Sequence, residues 1–205
     1  MEYGYGWVEV LGFISGALGL SIALPQLFKV LKADSHVGVS ILTWILIMLN
    51  FASWMAFSLR MNSPSQFISN VIAVLFTAVL VFVLLKDFWG GSLWAVVFIV
   101  ASVGLCVFLI LVLPEWWMDG VLILAISSRV PQVFSSWKSL RTGRHTNVSL
   151  LTYTLSGLSS VGWVFYGLIT GLYMNVLSST IGLVLSMIVL WLEIIAYSKY
   201  SELKK

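Results

Sequence analysis

Leu24-Pro25-Gln26-Leu27-Phe28-Lys29 returns as Val130-Pro131-Gln132-Val133-Phe134, 106 residues on, and Gly38-Val39-Ser40-Ile41-Leu42-Thr43-Trp44 returns as Asn147-Val148-Ser149-Leu150-Leu151-Thr152-Tyr153, 109 residues on. Two matched segments in the same order describe one unit used twice, with a second loop three residues longer. Carried forward at 109, the register pairs Trp54 with Trp163, Phe57 with Tyr166, Gln66 with Asn175 and Ser69 with Ser178. A repeat of this length has to be read first, because it constrains every later assignment.

Composition sets the solvent in which this unit folds. The 205 residues are 60% hydrophobic and 9% charged, far from the mix of a soluble domain. A water-facing enzyme is excluded on that ground. The net charge of +3 does not point to nucleic acid, because the basic residues fall in short gaps between apolar runs. Cys106 is the single cysteine and lies inside an apolar run, so no intramolecular disulfide forms. It reads as a buried small residue.

A bilayer core needs about 20 apolar residues of helix, and seven such runs are predicted, at residues 7–30, 39–59, 64–85, 92–113, 117–137, 148–169 and 174–197. Nothing basic precedes the first run and no small-residue cleavage site follows it, so it is expected to stay as a helix. With the N-terminus outside, Lys29, Lys32, Lys86, Lys138, Arg141, Arg144, Lys199, Lys204 and Lys205 lie inside and Arg60 outside. That bias predicts an external N-terminus and a cytoplasmic C-terminus. Trp7, Trp116 and Trp117 at outer helix ends fit an interfacial belt.

The repeated unit holds three helices, and an odd number of spans ends on the side opposite its start. The fourth run has no counterpart in either half and restores the parity, so both copies share one orientation. The expected fold is an all-α membrane protein with seven transmembrane helices in a 3+1+3 arrangement. Residues 1–86 form the first three-helix repeat, 87–116 the linker helix and 117–205 the second repeat.

The duplicated Pro-Gln, the basic loop after it, the Val-Ser-x-x-Thr-aromatic start of the next helix and the 3+1+3 layout resemble the PQ-loop membrane proteins. Within them the likeness is to the SWEET and SemiSWEET sugar transporters, over nearly the whole chain. That resemblance implies a pocket of tryptophan on the second helix of a repeat and asparagine sixteen residues later on the third. Trp54 and Asn70 have this separation; Trp163 is matched, but Ser179 stands where the second asparagine would be, next to Ser178.

The residues support such a pocket in their own right. Trp54 and Trp163 each lie about fifteen residues into a span, past mid-membrane toward the outer face. Indole faces cover the C–H surface of a sugar with few rotatable bonds, and an amide both donates to and accepts from hydroxyls. The alternative is that each Trp packs between helices and Asn70 bonds to a neighbour. Pro25 and Pro131 would free the carbonyls of Ser21 and Ser127, where serine hydroxyls can help satisfy the gap. A paired weak point suits a hinge, with Gln26 and Gln132 near the cytoplasmic gate holding helices together; an ordinary tolerated kink is the plainer alternative.

Arg129 stands apart, roughly 12 Å inside its span at 1.5 Å per residue. Three readings fit it: it lines the cytoplasmic half of the pathway and meets an anionic or strongly hydrogen-bonding solute, it pairs with Asp34, Glu193 or another acidic group as a gate, or it snorkels. Glu9 is near the start of the first helix, Glu193 near the end of the seventh, and no acid lies mid-span. Proton-coupled PQ-loop carriers depend on acidic relays, so facilitated diffusion is favoured. His36 and His145 read as solvated loop residues.

A retinal pigment is excluded by the lack of a lysine in the last span, and a peptide-retrieval receptor would want more pathway cations than Arg129. An intramembrane enzyme lacks a His, a carboxylate pair or a Cys/His set in any span. The sequence therefore predicts a uniporter for a mono- or disaccharide in the plasma (bacterial inner) membrane. The alternatives are an amino acid, vitamin or other small, including anionic, metabolite, or a seven-helix receptor. No cofactor, metal or nucleic acid is expected; the partners are the solute, the lipid bilayer and, as an open possibility, further copies of the chain.

Overall fold

The computed structural model describes residues 6–32, 41–126, 130–142 and 150–202. Eight helices run through them: α1 (Gly6–Leu31), α2 (Ile41–Arg60), α3 (Pro64–Trp89), α4 (Ser92–Val112), α5 (Glu115–Ile126), α6 (Val130–Thr142), α7 (Leu150–Thr170) and α8 (Tyr173–Glu202). Helix is what lipid demands of an apolar chain, since every backbone polar group must be satisfied within its own segment. Ile41–Arg60, Pro64–Lys86, Ser92–Val112 and Tyr173–Lys199 are long and apolar enough to cross a bilayer. The chain is a multi-pass, all-α membrane protein.

Most expected spans coincide with a helix, and the differences have local causes. Lys86 and Asp87 were expected in a join, yet α3 continues through them and stops only at Gly90, whose φ of 65° suits glycine. A charged residue at a helix end reaches water by its own length and need not end the helix. Likewise α8 continues past residue 197 to Glu202. The expected span 117–137 falls on α5 and α6, with 127–129 outside the described residues.

α3 packs on both α1 and α2, and α8 packs on α7 and on α5 and α6. Across the middle, α1 runs along α7 and α2 meets α5, while α4 covers α2 and α3. Apolar packing dominates around α4, where Phe57, Ile110, Met118 and Leu122 form one cluster and Met48, Val81, Leu85 and Ala95 another. Cys106, half-buried on α4, lies 3.2 Å from the Ser53 hydroxyl of α2.

The α1 interfaces are of a different kind. A Cβ on Gly12 would overlap the Ser65 hydroxyl, one on Gly16 that of Ser69, and one on Gly162 that of Ser15. Ser159 also donates to the Ser15 carbonyl at 2.8 Å. Without a hydrophobic drive between helices in lipid, small residues and cross-helix hydrogen bonds supply the contact. On α7 this packing buries Ser156, Ser159, Ser160 and Gly162.

Candidate functional site

The turns α2–α3 and α7–α8 are conformational copies, and they fix where α3 and α8 begin. Asn62 has φ 51° and Gly171, its partner at 109, has φ 75°. Ser63 N–H donates to the Ser58 carbonyl at 3.0 Å, and Leu172 N–H to that of Gly167 at 2.9 Å. Left-handed closure of this sort ends a helix and turns the chain sharply into the next.

From these turns the aromatic pairs follow in matching geometry. Trp54 meets Phe57 edge-on with centroids 5.4 Å apart at 79°, and Trp163 meets Tyr166 at 5.4 Å and 77°. Trp54 also packs on the cluster to which α5 gives Met118 and Leu122. Trp163 lies over Gly16 of α1, where a Cβ would come within 3.7 Å of its ring. Both are half-buried.

Asn70 is buried, and its Nδ2 donates to the Gln66 carbonyl at 2.7 Å. Ser178 donates to the Asn175 carbonyl at 3.2 Å, and Ser179 beside it is half-buried. The described contact between α3 and α8 is not made by Asn70 and Ser179. It lies one turn nearer the helix starts, where Gln66 Nε2 donates to Asn175 Oδ1 and Asn175 Nδ2 donates to Gln66 Oε1, both at 3.1 Å. These two amides are partners at 109, and both are buried.

At the same end, Tyr166 donates its hydroxyl to Glu9 Oε1 at 2.8 Å, and the other carboxylate oxygen accepts the Ser65 N–H at 2.8 Å. The Ser63 hydroxyl lies 2.7 Å from that of Tyr166. The network ties the first turn of α1 to the start of α3 and the end of α7. It borders a cleft of about 260 Å³ that Asn62, Thr170 and Leu172 help to line. Sequence reasoning missed Glu9; the one signal was Tyr166 standing opposite Phe57, since a buried phenol needs a partner.

On α2, Asn50 carries a buried Oδ1 with no hydrogen-bond partner among the described residues, one turn before Trp54. It too escaped the sequence reading. Glu193, expected at a helix end, is buried within α8.

The hinge expectations are only partly visible. α1 is helical on both sides of Pro25 and Gln26, and Pro131 lies in α6; the side chains of these three are outside the described set. Ser21 donates to the Leu18 carbonyl at 2.6 Å, so its hydroxyl is turned back along the helix, away from its own carbonyl. Gln132 Nε2 donates to the Ser136 hydroxyl of its own helix at 3.5 Å. Arg129, Asp34, His36, Ser127 and His145 lie outside the described residues.

Residues 7–67 match the family model for the PQ loop repeat. No curated protein matches the chain. Among solved structures, that of a eukaryotic SWEET transporter at 3.7 Å superposes with a TM-score of 0.71 at 18% identity, covering 96% of this chain and 100% of that one.

Proposed function

Taking a PQ loop repeat and the fold of a SWEET transporter as premise, we propose that the chain is a transporter that moves a mono- or disaccharide through its membrane by alternating access, as a uniporter. The observation that carries this is the pair of matched aromatic arrangements, Trp54–Phe57 and Trp163–Tyr166. Residues 1–86 and 117–205 act as the two repeats, with α4 in the linker 87–116. The N-terminus lies outside, so the α2–α3 and α7–α8 turns face the exterior of the plasma membrane.

Trp54 and Trp163 present apolar ring faces to the solute, and Asn70, Ser178 and Ser179 meet its hydroxyls. An apolar cleft with a few convergent polar groups is the general form of a small-molecule site. Pro25 and Pro131, with Gln26 and Gln132, serve the hinge and the cytoplasmic gate. Arg129 favours the runner-up, an anionic or otherwise polar metabolite.

The test is uptake of labelled glucose and sucrose into proteoliposomes, with and without a pH gradient, beside Trp54→Ala/Trp163→Ala. Saturable flux that is lost in the double variant and indifferent to pH is expected. Folded protein without sugar flux overturns the sugar assignment and directs the same assay to carboxylates, amino acids and vitamins, with Arg129→Ala as the next variant.

A further inference from the structure

Gln66 and Asn175 are 109 residues apart and occupy equivalent places on α3 and α8. When a residue touches its own counterpart, the contact sits on the axis that relates the two halves. In a carrier built of parallel repeats that axis runs along the membrane normal, and the solute passes along it. The amide pair therefore closes the axis one helical turn, about 6 Å, on the turn side of Asn70 and Ser179.

The closure is firm in its resting form. Both side chains are buried, at 4% and 2% exposure, and each amide satisfies the other in both directions. Opening without a replacement would leave two donors and two acceptors unpaired in the buried interior, which is strongly unfavourable. A solute with adjacent hydroxyl or amide groups can supply those bonds in exchange. An apolar solute of the same size cannot.

A second observation links the pair to the pocket. Asn70 donates to the backbone carbonyl of Gln66 and Ser178 to that of Asn175. A solute that takes the Asn70 N–H withdraws a bond from the residue that forms half of the closure. The pocket residues Asn70 and Ser178 are thus bonded directly to the backbone of the two residues that make the closure. The Glu9–Tyr166–Ser63 network is separate, since it ties α1 and α7 to the start of α3 and has no member in the amide pair.

We propose that Gln66 and Asn175 form an axial gate, opened when a hydrogen-bonding solute exchanges into their amide pair. It rests on the solute passing between the two halves. The test uses the full chain with Cys106→Ser, adding Gln66→Cys and Asn175→Cys together or singly, in proteoliposomes with the glucose and sucrose assay. A bis-methanethiosulfonate with a two-carbon spacer bridges two thiols at the reach of the lost amides and is removed by dithiothreitol. Bridging is read by intact mass and uptake before, during and after.

The double-cysteine protein is expected to bridge, to lose uptake about tenfold or more, and to recover on reduction, while each single variant stays unaffected by the reagent; a gate of this kind is a barrier at least as large as one buried unpaired polar group. A bridged protein that transports at its unbridged rate overturns the gate and leaves the transporter assignment standing. Absence of flux from the parent protein overturns the transporter assignment instead. Uncoupled from cysteine chemistry, Gln66→Asn/Asn175→Gln keeps the pair and should hold uptake within about threefold, whereas Gln66→Leu alone strands the Asn175 amide and lowers it about tenfold. Equal uptake in these two variants also overturns the gate.

Discussion

The Tyr166 hydroxyl is 2.8 Å from Glu9 Oε1, which joins the end of α7 to the first turn of α1 across 157 residues of sequence. Glu9 also accepts the Ser65 N–H at the start of α3, where the helix dipole favours a negative charge. Phe57 shows what the same position looks like without the hydroxyl.

Tyr166→Phe should therefore lower stability by about 1–2 kcal/mol, because the half-buried Glu9 carboxylate and the buried Ser63 hydroxyl lose a shared partner. Glu9→Ala should cost at least as much, since two donors are stranded. Thermal melting in detergent checks both. Equal melting temperatures for wild type and Tyr166→Phe would show that the hydrogen bond adds nothing to closure at this end.

The contact of α1 with α3 depends on the space left by glycine. A Cβ at Gly16 would lie on the Ser69 side chain, so Gly16→Ala forces the helices apart and should destabilise by about 1–3 kcal/mol. Ser69→Gly in the same chain removes the obstruction and should recover most of the loss. Failure of this rescue in a melting experiment would mean that Gly16 matters for its backbone and not for the close approach.

Much of this architecture is legible in the residues, and the exceptions are physical. The 109 register found in Trp54/Trp163 and Gln66/Asn175 reappears in the matched turns at Asn62 and Gly171, because short-range backbone geometry follows local sequence. The reach of α3 through Lys86 and Asp87 is not legible in the residues, since charge marks the membrane boundary and does not break a helix. Glu9 and Tyr166 could not be paired from sequence, since nothing local says which distant acid a buried phenol will meet. The same holds for Gln66 and Asn175: the register names them as equivalents, but only the packing of α3 beside α8 brings them into contact.

Arg60 offers a contrast between two kinds of cation contact. Its Nη1 donates to the carbonyls of Leu113 at 2.8 Å and Ile110 at 3.2 Å, while its Nη2 stands 3.8 Å from the largely exposed Glu115. The carbonyls end α4 and have no helical partner, so they need the guanidinium. Arg60→Met should cost about 1–3 kcal/mol; Glu115→Gln should cost about 0–1 kcal/mol, as exposed ion pairs do. Similar losses in the two melting curves would place the weight on the ion pair instead.

Asn50 combines burial with an unspent acceptor. Its Oδ1 is buried without a partner among the described residues, and it shares a helix face with Trp54 and Phe57 at spacings of four and seven. Ser159, 109 residues on in α7, spends its hydroxyl on the Ser15 carbonyl, so the two matched positions differ in chemistry. A buried acceptor without a partner is a stability cost that a solute hydroxyl can relieve. Asn50→Leu is thus expected to hold or raise the melting temperature while cutting sugar uptake about tenfold, since a fold relieved of an unpaired carbonyl loses a solute hydrogen bond. A fall in melting temperature with uptake unchanged would assign Asn50 to packing alone.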